Sequence, residues 1–305
     1  MRYPHIASLL YGQPWCILPE KFDVITAAFE LLRSGARYTD AEVQAHIEAA
    51  GRREPGGMRS QGALAVIPIY GTIAQKGGII QDASGGTSTE AVSAMLSQAL
   101  ADPGVASILL DVSSPGGGTY GVQELAQQIY DARGSKPICA IANSMAASAA
   151  YWIACAADEV VVTPGGEVGS IGAYMIYQDA SKALEAEGIA TTIIKAGAFK
   201  AEATGLNPLT AEATAALQDR VDEVYGQFCG MVAKGRSVPI AQVRDGMGQG
   251  RLVSAKAAIA AGMADRVATF DQTVARLTGG ARGPAARMRA QDDPHMRAYQ
   301  FAFQS

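Results

Sequence analysis

Histidine is almost missing from this chain. Three of 305 residues, His5, His46 and His295, lie towards the ends, and none falls in the long central segment. A serine nucleophile that relies on histidine is therefore excluded there, and the base that remains is the uncharged amine of a lysine. Cysteine is scarce as well. Cys16, Cys139, Cys155 and Cys229 lack the short paired spacing of zinc or redox sites, so no metal or cofactor is expected, and two of them lie in apolar runs typical of reduced, buried thiols. No run of about 18 uncharged apolar residues occurs, and the N-terminus lacks a basic start followed by an apolar stretch. We expect neither export nor a membrane span, and a reducing, cytoplasmic setting. Charge of one sign is missing too: 25 Lys and Arg face 29 Asp and Glu, a net charge of −4. Without a basic stripe, nucleic acid is not an expected partner; the arginines from Arg282 to Arg297 are interrupted by acids and read as a solvated tail.

What is present is a well-cored chain, 49% apolar, with 34 glycines, about 11% against a usual ~7%. Residues 1–58 read as an extension with helical pattern, including an apolar face of Val24, Ile25, Ala28, Leu31 and Leu32 that suits a partner as well as a membrane surface. A Gly/Pro-rich linker, Gly51 to Gly57, closes it. Beyond come short apolar runs that read as buried strands: Leu64 to Tyr70, Ile108 to Val112, Ile138 to Ala142, Val160 to Thr163 and Thr191 to Ile194. Helical stretches alternate with them, at Ser88 to Leu100, Gly121 to Arg133, Ala146 to Ala157 and Ala180 to Glu187. The alternation predicts an α/β fold. A long helix begins at Thr210, with Glu212 in its first turn and Leu217, Val221, Val224, Tyr225, Phe228 and Val232 on one face. Val253 to Val267 reads as helix, Gly262 turn, then strand. From Gly279 to Ser305 the periodicity is lost, and a flexible tail is expected. The domain boundaries read from this are 1–58, 59–278 and 279–305.

Amide hydrolysis through an acyl-enzyme needs a nucleophile, a base and donors for the developing oxyanion. Ser148 lies among small residues just after an apolar strand, in Asn143-Ser144-Met145-Ala146-Ala147-Ser148-Ala149-Ala150-Tyr151-Trp152; Ser144 is a rival at the same turn. The loop Ser113-Ser114-Pro115-Gly116-Gly117-Gly118 leaves backbone N–H groups uncovered, and the Ala149 N–H follows the serine at a helix start. Two segments thus offer donors to one anion. Each element also has a plain structural reading: a tight strand-to-helix turn for the glycines, close helix packing for Ser148, and a solvated loop for Lys200, which lies in Ala196-Gly197-Ala198-Phe199-Lys200. For Lys200 to act as a base near neutral pH, its surroundings must lower an amine pKa of about 10.4 by roughly 3 units, about 4 kcal/mol.

On these residues the chain resembles the serine-lysine signal peptide peptidase family (S49 type), whose phage members process capsids. The resemblance covers roughly residues 62–270. It rests on an apolar strand followed by Pro-Gly-Gly (Val112 to Gly118), an Ala-Ala-Ser segment followed by an aromatic (Ala146 to Trp152), Gly169-Ser170-Ile171-Gly172, and a Gly-x-x-Lys segment ending at Lys200. The interval of 52 residues between Ser148 and Lys200 equals the family's nucleophile-to-base separation and favours them over Ser144 and Lys195. Pro4 to Ser8, with Pro14 and Pro19, is similar to the start of the family's phage head-maturation members. Two features depart from the pattern: Ser148-Ala149-Ala150 replaces the more usual Ser-Gly-Gly, and the sequence stops at Ser305 without a long scaffold segment.

The resemblance implies a Clp protease/crotonase-like fold of stacked β-β-α units and a serine endopeptidase acting on phage scaffold, portal or capsid protein, including itself, in the host cytoplasm. Ser148 would be nucleophile, Lys200 general base, Ser170 the group that orients the lysine, and Gly116, Gly117 and Ala149 the oxyanion donors. It also implies a homo-oligomer in which a neighbouring subunit can supply the lysine. Three alternatives stand beside this: a bacterial signal-peptide-degrading peptidase of the same family, a crotonase-type acyl-CoA hydratase or isomerase using Glu159 or Glu167, and a non-catalytic head-assembly protein.

Overall fold

The computed structural model describes residues 10–33, 57–77 and 86–279. The three histidines, most of the expected linker and the tail beyond Gly279 lie outside the described residues.

The centre is a sheet built from the apolar runs seen in the sequence. β3 (Leu64–Tyr70), β6 (Ser107–Ser114) and β8 (Ile138–Ala147) pair in parallel, and β9 (Glu159–Val162) and β10 (Glu167–Gly169) both pair in parallel with β8. β2 (Arg59–Gln61) and β11 (Leu252–Ser254) close the two edges antiparallel, and β12 (Arg266–Val267) adds to β9. Leu64 to Ile69 and Ser107 to Val112 are buried without interruption, as a parallel sheet covered on both faces requires. A second, four-stranded sheet runs β1 (Trp15–Ile17), β7 (Gly116–Gly118), β4 (Ile73–Ala74) and β5 (Thr87–Ser88). The chain passes from the large sheet to the small one across Pro115, which has no N–H to offer a ladder.

Helices cover the sheet as the apolar periodicity predicts. α1 (Pro19–Arg33) is followed by α2 (Thr89–Ala101), whose N-cap Ser88 accepts from the Ala91 N–H, and by α3 (Val122–Asp131) and the short α4 (Ala149–Ala154). After α5 (Ser181–Ala186) comes the long α6 (Ala211–Arg236), capped by Thr210 on the Ala213 N–H as expected. α7 (Ile240–Gly246), α8 (Ala255–Ala260) and α9 (Phe270–Leu277) complete the described chain. The main core lies between the sheet and α2, α3, α4 and the C-terminal half of α6, where Trp152 stacks on Phe228 at 4.8 Å between ring centroids. Full burial of one such ring stabilises by about 1.5–3 kcal/mol. Val274 of α9 covers the opposite face with Val66, Leu109 and Ile141.

Three readings are corrected. Thr191 to Ile194 forms no strand: the segment is coil, and Ile194 is 95% exposed. Branched residues favour a strand only with a neighbour to pair and a face to bury, and this run has neither. The helix expected from Ala146 starts at Ala149, because β8 continues to Ala147 through a register shift opposite Val112/Ser113 that leaves Asn143 and Ser144 unpaired. Apart from Ala213 in its first turn, the buried residues of α6 lie in its C-terminal half; Leu217 and Val221 remain half-exposed. A further difference concerns the N-terminus. Within the expected extension, Leu10, Trp15, Ile17, Phe22 and Phe29 form a buried cluster with Tyr174 packed against it, and β1 is a strand of the small sheet. The body expected over 59–278 is completed from outside that range.

Candidate active site

Ser148 stands where β8 ends and α4 begins, at φ 54°, ψ −119°. This region is nearly closed to residues with a Cβ, and holding one there costs of order 1–3 kcal/mol, which the surroundings must over-determine. They do so from both sides. The Ser148 N–H donates to the Gly169 carbonyl at 2.6 Å, the Ser148 carbonyl accepts from the Trp152 N–H at 2.9 Å, and α4 is buried from end to end. Ser148 itself is 1% exposed. Among the described residues no carbonyl or hydroxyl accepts the Ala149 N–H, so a donor is free immediately after the serine.

Against this turn lies β7. Gly116 has φ 99°, and a Cβ there would sit 3.0 Å from the Ser148 Cβ and the Ala147 carbonyl and 2.2 Å from the Cys16 carbonyl; a Cβ on Gly117 would lie 2.0 Å from the Ile73 carbonyl. Only glycine lets three backbones approach the serine this closely. The Gly116 N–H donates to Ser114 Oγ at 3.1 Å, and that hydroxyl donates in turn to the Gly71 carbonyl at 2.6 Å. Ser114 thus fixes the glycine strand, a role its sequence does not announce.

Cys16 is the residue that sequence reasoning missed. β1 pairs antiparallel with β7, Cys16 opposite Gly117, and Cys16 and Ser148 close on Gly116 from two sides. Burial pushes the thiol up to about 12, with the Ser148 hydroxyl pulling the other way, so Cys16 is a neutral thiol. The available signal was the four-residue apolar run Trp15 to Leu18 bounded by Pro14 and Pro19, a short strand between breakers.

Ser170 follows β10, whose Val168 and Gly169 pair with Ala146 and Ala147 of β8; continuing that register by one residue brings Ser170 beside Ser148. Ser170 is buried, at φ 53°, and its N–H donates to the Arg251 carbonyl at 2.8 Å. Lys200 is placed differently. It ends an exposed turn in which its N–H donates to the Gly197 carbonyl at 3.3 Å, and among the described residues nothing hydrogen-bonds or ion-pairs with its amine. The structure of the chain therefore brings Ser148, Ser170, Gly116, Gly117 and Ala149 together and leaves Lys200 at the surface. Most of residues 178–204 are exposed around it and none is buried; Ile189, Ile194 and Phe199 are among the exposed. The acyl-CoA alternative finds little support: Glu159 is held in ion pairs by Arg266 and Arg276, and Glu167 is exposed. No group of three metal-ligating side chains occurs among the described residues, and no described helix is long and apolar enough to cross a membrane.

An α/β chain with a buried serine at a left-handed strand-to-helix turn, a free amide after it and a glycine strand alongside is built as a hydrolase of the acyl-transfer type. The chain belongs to peptidase family S49, whose family model matches residues 131–282, the segment holding Ser148, Ser170 and Lys200. It is a peptidase. It is similar to the capsid assembly protease C of Escherichia phage lambda, 30% identical over 301 residues that cover 91% of this chain and 68% of the relative. The head-tail preconnector protein GP5 of Enterobacteria phage P21 is 31% identical over 241 residues, 75% of this chain and 48% of that protein. Protease 4 of Haemophilus influenzae is 27% identical over 217 residues, 69% of this chain and about a third (34%) of that protein.

Proposed function

We propose that this chain is a Ser-Lys endopeptidase of phage head assembly, acting on scaffold, portal or capsid protein, and that its lysine reaches the serine only in an assembled oligomer. The observation that carries the mechanism is the backbone of Ser148: a strained, fully buried serine with a free N–H on the next residue is costly to maintain for packing alone. The similarity to a phage capsid assembly protease over 91% of the chain favours head proteins as substrates. The layered parallel sheet with a crossing glycine strand is compatible with the Clp protease/crotonase type, taken here to begin near residue 59 and to borrow β1 from the N-terminal segment.

In this reading Ser148 Oγ attacks the scissile carbonyl carbon while its proton passes to the neutral Lys200 amine. The charge arising on the carbonyl oxygen is met by the Ala149 N–H and by Gly116 or Gly117; Gly116 must release or share the Ser114 hydroxyl to take part. The lysine then protonates the departing amine, and water, deprotonated by the same lysine, hydrolyses the acyl-serine. Ser170 fixes the lysine from the neighbouring strand. Exposure of Lys200 in the single subunit supports delivery from a neighbour, where docking of 178–204 would desolvate the amine and lower its proton affinity.

The test mixes two inactive variants. Ser148→Ala and Lys200→Ala each abolish cleavage of a co-expressed scaffold or capsid protein, and co-assembly of the two restores a fraction of it, since a Lys200→Ala subunit keeps its serine and borrows a lysine. Full cleavage by Lys200→Ala alone removes the dyad. Inactive mixtures beside an active wild type place both groups in one subunit.

A further inference from the structure

β1 has the position of a bound peptide rather than of an ordinary edge strand. On one side it pairs antiparallel with Gly116–Gly118, and the Leu18 N–H donates to the Pro115 carbonyl at 3.0 Å; on the other, Trp15 and Tyr174 exchange two backbone hydrogen bonds, at 2.9 and 3.1 Å. A three-residue strand bonded along both edges, with its middle residue against the Ser148 side chain, fills the groove that any extended polypeptide reaching this serine must enter by strand addition. Its anchors lie outside the groove. The Trp15 indole donates to the Leu10 carbonyl at 2.9 Å and packs edge-on against Phe22, which meets Tyr174 in the same manner. What meets the hydroxyl is moreover a neutral thiol, which offers no carbon for acyl transfer.

We propose that Trp15–Leu18 is a resident plug: an intramolecular strand that occupies the peptide groove beside Ser148, holds the enzyme at low activity, and is displaced by an extended segment of a protein substrate. This rests on the reading of Ser148 as nucleophile. The groove occupant is a strand with no specific side-chain chemistry beyond a small residue facing the serine, so competition is decided by backbone pairing and local concentration. The tether gives β1 the advantage at low substrate concentration, and crowding inside an assembling shell removes it.

The experiment uses the full chain and two readouts. Trp15→Pro deletes the N–H donated to Tyr174 and the indole anchor, and it is expected to cleave casein about tenfold faster than wild type, with a synthetic peptide of residues 13–19 slowing the variant again. In parallel, alkylation by iodoacetamide is followed residue by residue: Cys16 should react faster in Trp15→Pro, and in wild type on addition of the 13–19 peptide, while buried Cys155 stays protected as the folding control. Unchanged cleavage by a folded Trp15→Pro, or Cys16 alkylation in wild type that the peptide does not accelerate, overturns the plug. If no form cleaves casein, the nucleophile assignment is what fails, and the alkylation of Cys16 still decides the plug. A misfolded variant is recognised by alkylation of Cys155, and the wild-type measurement then stands alone.

Discussion

Gly235, near the end of α6, gives the sharpest test of how the helix carrying the serine is held. Glycine in a helix usually costs about 0.5–1 kcal/mol relative to alanine, so Gly→Ala there is normally stabilising. Here a Cβ would lie 2.2 Å from the Cys155 carbonyl oxygen and 3.0 Å from its carbon, at the C-terminus of α4. Relief requires the two backbones to part by about 1 Å, and overpacking of this kind costs about 1–3 kcal/mol. The same joint is tied by Arg133, whose guanidinium donates to the carbonyls of Cys155, Ala156, Ala157 and Gly235; losing one such charged bond adds about 1.5–3 kcal/mol. The clash outweighs the propensity gain, and Gly235→Ala should destabilise by about 2–5 kcal/mol in urea unfolding. Gly226 and Gly230 lie in the same helix with nothing within 4 Å of a built Cβ, so their alanine variants should gain up to about 1 kcal/mol. If Gly235→Ala tracks those two, close packing of α6 on α4 is not what seats Ser148, and the reasoning fails.

The backbone of Ser148 predicts a trade between stability and activity: Ser148→Gly should be more stable than Ser148→Ala by about 1 kcal/mol or more in thermal unfolding, both lacking cleavage, and equal stabilities would show that no strain is stored at φ 54°. Acid stability should depend on Asp265. Burial pushes its carboxyl up, but the two hydrogen bonds from Arg236 and the one from the Val160 N–H outweigh burial and hold it below the usual range. A carboxyl lowered by folding contributes stability that is complete above its unfolded pKa, about 4, and is lost as pH falls through its native value. Urea midpoints measured from pH 6 down to pH 2 should therefore fall less steeply for Asp265→Asn than for the wild type, and parallel curves would count against the pairing.

Much of the fold was legible because its signals are local. A strand buried on both faces writes a continuous apolar run, so Leu64–Tyr70 is bounded in the sequence where the structure bounds it, and Thr210 announces α6 through its cap. The turn at Ser148 and the glycine strand beside it were legible for the same reason, since a backbone approach forbidden to side chains demands small residues in a row. Thr191 to Ile194 carries the composition of a strand, and only the absence of a neighbouring edge makes it coil. The half-exposed N-terminal face of α6 likewise reads as core and is not, because periodicity reports that a face is apolar but not what covers it.

Cys16 shows where such reading stops. A strand of three residues has too little pattern to be assigned to a sheet more than a hundred positions away, and the polar linker after it suggests a separate piece. Yet the energetics favour its insertion: Gly116 and Gly117 have no side chains to complete a sheet surface, so the backbone edge they expose must be paired by some other strand or by water. The chain supplies that strand itself. The glycines that let backbones approach Ser148 thus create the very edge that β1 occupies, so in the proposed mechanism access and occlusion arise from one sequence feature. Any substitution that blocks β1 by adding a side chain at Gly116, where a Cβ would lie 2.2 Å from the Cys16 carbonyl, blocks the substrate as well. Control of access therefore has to be sought on the β1 side of the pair, at Trp15 and Cys16, where the groove itself is left unchanged.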